Sequence, residues 1–389
     1  MTSTLYLGCA MVDHTTRSLA PEMAMLVTDG RVDWLGPAEE APTPGPSAQV
    51  VDAGGTTAVA GMVDAHSHLT LPGGSHWIDR AGDPTDRLLA VAEDNARLLR
   101  QAGVRWARDV GAPVRDGRAL SLTVRERWRG RAGYPYIRAA GCWVARTGSL
   151  PSGLPVEVED GDGLLAAALG QLDAGADLVK LYMDGPDRDT SPFTAEEVHR
   201  TVQAVHARGA TVTAHSSLLP GARAAVAAGV DALEHGFRLD ADVARAMAAQ
   251  GTALVSTLAV MESWASFATT TQLPRFASAE GRVALAERRE AARESVRLAH
   301  AAGVLIAAGT DFGGGSLRAN QLAWEVEMLV TAGLEPYDAL AAATVNGGRL
   351  LGEPGAGILA KGGPADFLLV HGDPLSEPGS LWRVWRTSW

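Results

Sequence analysis

Five short segments of this 389-residue chain each end in a candidate metal ligand, and their order constrains the fold more than any other feature. They read GMVDAHSH, ADLVKLYMDG, TVTAHSS, DALEHG and AAGTDFGG, closing on His66 and His68, Lys180, His215, His235 and Asp311. Successive side chains of a β-strand alternate, so His66 and His68 share one side of a strand end and can hold one ion together. Taken alone, a His-x-His is equally an ordinary polar strand face. Four later strands that each close on a further candidate change the balance, because parallel barrels assemble their sites at the C-terminal ends of their strands.

The pattern between these points supports that architecture. Candidate strands AVAGMVDAH, VRWARDV, YIRAAGC, LVKLYM, TVTAH, ALEHG, ALVST and VLIAAGTD alternate with amphipathic helical runs such as AEEVHRTVQAVHARGA. Several runs stop at a glycine, among them Gly103, Gly175, Gly209, Gly229, Gly251 and Gly303, the usual helix C-terminal signal. Eight strand–helix units predict an α/β protein of the (β/α)8 TIM-barrel type over residues 61–354. The ends read differently. TLYLGCAMV, AMLVTDG, RVDWLG and VVDAGG have hairpin character, with Asp29-Gly30 as a turn. GILAKGGPADFLLVHGDPL reads as two more strands and RVWRTSW as another. Neither end supplies enough strands for a stable sheet, so residues 1–60 and 355–389 are expected to form one small β-sandwich domain together.

Composition excludes other classes. A net charge of −11 without a basic stripe argues against a nucleic-acid partner. The densest basic stretch, Arg125 to Arg131, is interrupted by Glu126 and Trp128 and reads as a solvated helix face. Cys9 and Cys142 are the only cysteines, which leaves no disulfide framework and no paired-thiolate metal motif. No apolar run reaches the length of a membrane helix. Leu7-Gly8-Cys9 looks like the end of a lipoprotein cleavage box but lacks the basic and apolar regions before it, so a cytoplasmic location is expected.

Four imidazoles and a carboxylate suit zinc, or manganese, cobalt, nickel or iron, better than calcium or magnesium. Lys180 needs a separate argument, because an ammonium has no lone pair to offer. It can serve if deprotonated, or if carbon dioxide converts it to a carbamate whose two oxygens bridge two ions. Such a pair, roughly 3.5–4 Å apart, would share a hydroxide that is a strong nucleophile at neutral pH. Asp311 could hold that hydroxide and pass its proton to the leaving group.

With these residues in place, the chain resembles the amidohydrolase superfamily, and within it the imidazolonepropionase-like and Xaa-Pro dipeptidase-like (prolidase-like) hydrolases. GMVDAHSHL, GVRWARDVG, GADLVKLYMDG, AAGVDALEHG, AHAAGVLIAAGTDFG, ALAAATVNGGRLLG and GILAKGGPADFLLV carry the resemblance over nearly the whole chain. It implies a barrel with a small terminal β-sandwich and a binuclear centre. His66 and His68 would bind the more buried ion, His215 and His235 the more exposed one, carboxylated Lys180 would bridge, and Asp311 would be ligand and proton shuttle. Two departures concern the substrate. Dipeptidase-type relatives often have His-Ala-His-Gly after the fifth strand, where this chain has His215-Ser216-Ser217-Leu218. They often have Gly-Gly-His after the third, where this chain has Gly148-Ser149-Leu150.

The reading is a metal-dependent hydrolase of an amide, peptide or cyclic-amide C–N bond in a small molecule, with a homo-oligomer left open. The same centre could act on a lactone, carbamate or phosphotriester. A mononuclear deaminase would have no use for Lys180, and a non-catalytic binding protein no reason to keep six ligand positions. His76, Trp77, Trp143, Tyr182 and Trp264 are candidate substrate contacts, which predicts a bulky, partly apolar substrate. His14, His199, His206, His300 and His371 read as surface or packing residues, Arg108-Asp109 as a structural ion pair and Cys142 as pocket wall. Gly313-Gly314-Gly315 lacks the ending of a phosphate loop.

Overall fold

The computed structural model describes residues 3–389. Both ends of the chain meet in one seven-stranded sheet. Its long first strand, Ser3–Asp13, pairs antiparallel with Ser18–Thr28 and parallel with both Gln49–Asp52 and Thr56–Ala60. Phe367–His371 pairs with Thr56–Ala60, and Val384–Thr387 covers its other edge. The Asp29-Gly30 turn forms as expected, with φ of 47° and 78°. GILAKGGPADFLLVHGDPL supplies one strand rather than two. Its glycine-rich half instead exchanges backbone hydrogen bonds with the strand Arg31–Pro37, the Val32 amide donating to the Gly363 carbonyl at 3.1 Å. Tyr6, Cys9, Met25, Val32 and Phe367 form a separate small core there.

Eight parallel strands follow, each leading towards helical segments. They are Met62–Ser67, Val104–Asp109, Tyr136–Ala139, Leu178–Tyr182, Thr211–Ser216, Ala232–His235, Ala253–Ser256 and Ile306–Ala308. Residues of Leu178–Leu181 are buried throughout, as expected where helices cover one face and other strands the second. Ladders join the first three strands in the order third, second, first, and the last five in sequence. Two junctions link the groups. The Asp177 amide donates to the Ala139 carbonyl at 2.8 Å between the third and fourth strands, and the Asp311 amide to the His66 carbonyl at 2.8 Å between the eighth and first. All the ligand candidates therefore lie at one end of the parallel strands. Helices Leu219–Ala228 and Ala241–Gln250 end on Gly229 and Gly251, both left-handed, as their sequences predict.

Three expectations require correction. The run AVAGMVDAH is two strands: Thr56–Ala60 belongs to the terminal sheet, Met62–Ser67 to the parallel strands, and Gly61 lies between them. A Cβ on Gly61 would come within 2.8 Å of the Arg105 Cβ, so the crossing needs a glycine. Arg125 is not solvated. It lies on helix Leu120–Trp128, is buried, and binds Asp177 at 2.5 Å. Arg108 and Asp109 do not pair. Neighbours on a strand point to opposite sides, so Arg108 binds Glu234 while Asp109 accepts from the Leu69 amide at 2.8 Å. No helix among the described residues is long and apolar enough to cross a membrane.

Candidate active site

Four imidazoles converge at this end of the strands, each with one ring nitrogen engaged by the protein. His66 Nδ1 is 2.6 Å from Glu234 Oε2, and His68 Nδ1 donates to the Gly111 carbonyl at 2.7 Å. Thr257 Oγ1 lies 2.8 Å from His235 Nδ1. His215 differs, because its Nε2 meets Asp184 Oδ2 at 3.2 Å. These contacts orient the rings and leave the opposite nitrogen available, Nε2 in three and Nδ1 in His215. Ring centroids of His66 and His235, and of His215 and His235, are both 4.6 Å apart. Asp311 Oδ1 lies 3.1 Å from His68 Nε2 and 3.4 Å from His66 Nε2. Ligand atoms of His66, His235 and Asp311 lie within 4.8 Å of one another, close enough to hold a metal ion.

Burial favours the neutral form of two of these imidazoles, His66 and His235, the form a ligand must have. It pulls His235 well below the usual imidazole range, helped by His215 and His66, and it lowers His66 with help from Lys180. Burial alone would raise Asp311, but the histidines around it hold its carboxyl well below the usual carboxylate range. Lys180 is fully enclosed and its Nζ has no hydrogen-bond partner. Burial lowers this amine to about 8, against the opposing pull of Glu234 and Asp311.

Backbone conformation explains how adjacent residues both reach the centre. Glu234 points inward on its strand, so His235 should point out, but His235 adopts φ of 68° and turns back. Asp311 is likewise left-handed, at 52°. Such conformations cost of order 1–3 kcal/mol each and tend to occur at functional sites. Gly313, Gly314 and Gly315 pass so close that a Cβ on Gly314 would overlap the His68 ring and one on Gly315 would come within 2.8 Å of Asp311 Oδ2. Gly314→Ala should therefore displace His68 and weaken metal binding, measurable by equilibrium dialysis.

Glu234 is the principal residue missed in the sequence. Fully buried, it binds the guanidinium of Arg108, the hydroxyl of Thr213 and His66 Nδ1. Burial raises its carboxyl, yet Arg108, Lys180 and His66 outweigh that and hold it well below the usual range. Glu234→Gln would leave the Arg108 guanidinium buried without an anion. A stability loss of about 3 kcal/mol, read by denaturant unfolding, is expected together with weaker metal binding. Asp184 was missed as well; besides His215 it holds the Ser216 hydroxyl at 2.9 Å and the Ser217 amide at 2.8 Å.

A cavity of about 230 Å³ stands over the histidines. Trp77, Trp143, Tyr182 and Trp264 line it, together with Leu150. Trp143 lies 5.1 Å from the His68 ring, Trp77 stacks on Trp264 at 5.7 Å, and Tyr182 stacks on His215 at 4.0 Å. Trp264 sits on the short helix Leu258–Ser266 rather than in a loop. His76 is not brought to this cavity. Its exposed side chain pairs with Asp79 at 3.1 Å, because its loop turns that ring to solvent while Trp77 turns in. Cys142 does not line this cavity but lies behind it in the hydrophobic core, and burial pushes its thiol up to about 12, which does not suit a nucleophile.

The amidohydrolase family pattern matches residues 57–385, which includes every candidate ligand. The chain belongs to the amidohydrolase family. This amidohydrolase is 35% identical over 333 residues to an uncharacterised protein of Mycobacterium tuberculosis, covering 82% of this chain and 80% of that one. It is 27% identical over 408 residues to an imidazolonepropionase of Deinococcus deserti, covering 94% and 88%. A prolidase solved with N-methylphosphonate-L-proline superposes with a TM-score of 0.84 at 22% identity, covering 99% of this chain and 98% of that one. The expected kinship is borne out, and the protein is a hydrolase by family.

Proposed function

We propose that this amidohydrolase cleaves an amide, peptide or cyclic-amide C–N bond in a small substrate and uses two divalent ions, zinc foremost, to do so. Within this reading the eight parallel strands are a closed (β/α)8 barrel over residues 61–354. Residues 1–60 and 355–389 make the small β-sandwich beside it. The supporting observation is Lys180. A buried amine without a hydrogen-bond partner, beside four pinned imidazoles, is costly unless something else occupies the centre. Its lowered pKa leaves about a tenth of the amine neutral at pH 7, far more than an ordinary lysine, and a neutral amine adds to carbon dioxide to give a carbamate and a proton. His66 and His68 would hold one ion, His215 and His235 the other, and carboxylated Lys180 would join them.

When bound, the ions would polarise the scissile carbonyl and make water nucleophilic at neutral pH. The chain's own side chains supply the rest. Asp311 accepts the proton of the attacking water and delivers it to the leaving nitrogen. Glu234 and Asp184 keep the His66 and His215 rings in the orientation that ligation needs. The indoles exclude bulk water and bury the apolar part of the substrate. Hydrophobic N-acyl or aryl amides should therefore outperform Gly-Pro-type dipeptides in kcat/KM with the zinc- or manganese-loaded protein. Equal or better turnover of small dipeptides would overturn the apolar reading of the pocket.

A further inference from the structure

The site cavity adjoins a second chamber of about 260 Å³, with Tyr182, Ser217, Phe237 and Trp264 common to both. Three guanidinium side chains line this chamber. Arg188 comes from the loop after strand Leu178–Tyr182, Arg238 from the loop after Ala232–His235, and Arg288 from helix Ala279–Ala301. Among the described residues none of the three forms an ion pair or hydrogen bond with a protein group. The contrast on the same helix is direct, since Arg289 and Arg293 both bind Glu262. Asp184, the chamber's one carboxylate, is already committed to His215, Ser216 and Ser217. Two enclosed polar atoms of the lining residues also lack partners, Ser149 Oγ and Trp264 Nε1.

The three arginines are exposed at the chamber's rim, where water screens their mutual repulsion, yet in a chain of net charge −11 a cluster of unpaired like charges runs against the overall balance. Partial burial at the chamber wall lowers the Arg288 guanidinium, and the fields of Arg188 and Arg238 add to it. An incoming anion would offset these charges. Guanidinium forks match carboxylate and phosphoryl oxygens.

We propose that this chamber is a subsite for an anionic group carried by the substrate, a carboxylate or a phosphoryl group. Arg188, Arg238 and Arg288 are its charged contacts. The inference rests on reading the adjoining centre as hydrolytic, and it refines the expected substrate. The apolar chamber takes a hydrophobic portion, the scissile bond lies by His215 and His235, and a negative charge projects into the arginine chamber.

The test uses three matched probes with the metal-loaded full chain: N-benzoylglycine, N-benzoylaminomethylphosphonate and the uncharged N-benzoylglycinamide. Calorimetry gives Kd for each, and release of benzoate gives KM. At least one charged probe should bind at least about tenfold tighter than the neutral one, and the tighter of the two identifies the anion. R188Q, R238Q and R288Q should each shrink that ratio, and the triple variant should bring it close to one. R289Q, on the same helix but facing Glu262, should leave it unchanged and reports any general loss of charge or folding. Equal binding of charged and neutral probes, or a ratio insensitive to all three substitutions, would overturn the subsite. Charge-dependent binding without hydrolysis of any probe would sustain the subsite and count against the amide-cleaving reading. Hydrolysis without charge preference would do the reverse.

Discussion

Lys180→Ala is expected to lower metal affinity by more than about a hundredfold and to abolish measurable turnover. Bridging carbamate oxygens would hold both ions at once, so their loss should exceed the 10- to 100-fold cost of removing a group that only orients a ligand. A short carboxylic acid added to this variant should restore part of both properties, because the deleted side chain leaves room and a carboxylate offers the same two oxygens. Lys180→Arg retains the positive charge and cannot form the carbamate. It should be as impaired as the alanine variant and should not respond to the acid. Full activity in Lys180→Arg would exclude the bridge.

Asp311→Asn should reduce kcat by at least about two orders of magnitude, the usual scale for a group that moves a proton in the transition state. The amide cannot accept that proton but can still offer an oxygen, so this variant should retain more metal than His66→Ala or His215→Ala. Turnover and metal content should therefore separate in Asp311→Asn and fall together in the histidine variants. Near-normal turnover would remove Asp311 from proton transfer.

The parallel strands were legible because their two faces are both buried, which writes them as short apolar runs between glycine-capped helices. The convergence of His66, His68, Lys180, His215, His235 and Asp311 was legible for a related reason, since each lies within three residues of the C-terminal end of such a strand. Glu234 was obscured by alternation. Beside His235 it should face away from the centre, and only the left-handed backbone at His235 lets both residues reach it. For Arg108 the same alternation is the reason that it cannot pair with its neighbour Asp109 and reaches Glu234 instead. Arg125 looked solvated because its partner, Asp177, lies far along the chain. The arginine chamber was hidden for that reason too, as Arg188, Arg238 and Arg288 come from elements joined only by the fold. His76 and Trp77 are neighbours in one loop, and no pattern in the sequence distinguishes the residue that turns outward from the one that turns in.

Four imidazoles, one aspartate and one modified lysine are proposed to hold a pair of ions. Elemental analysis of protein produced with added zinc, with bicarbonate present, tests this most directly. A plateau close to two equivalents per chain is expected, whereas saturation at one equivalent would exclude the binuclear centre.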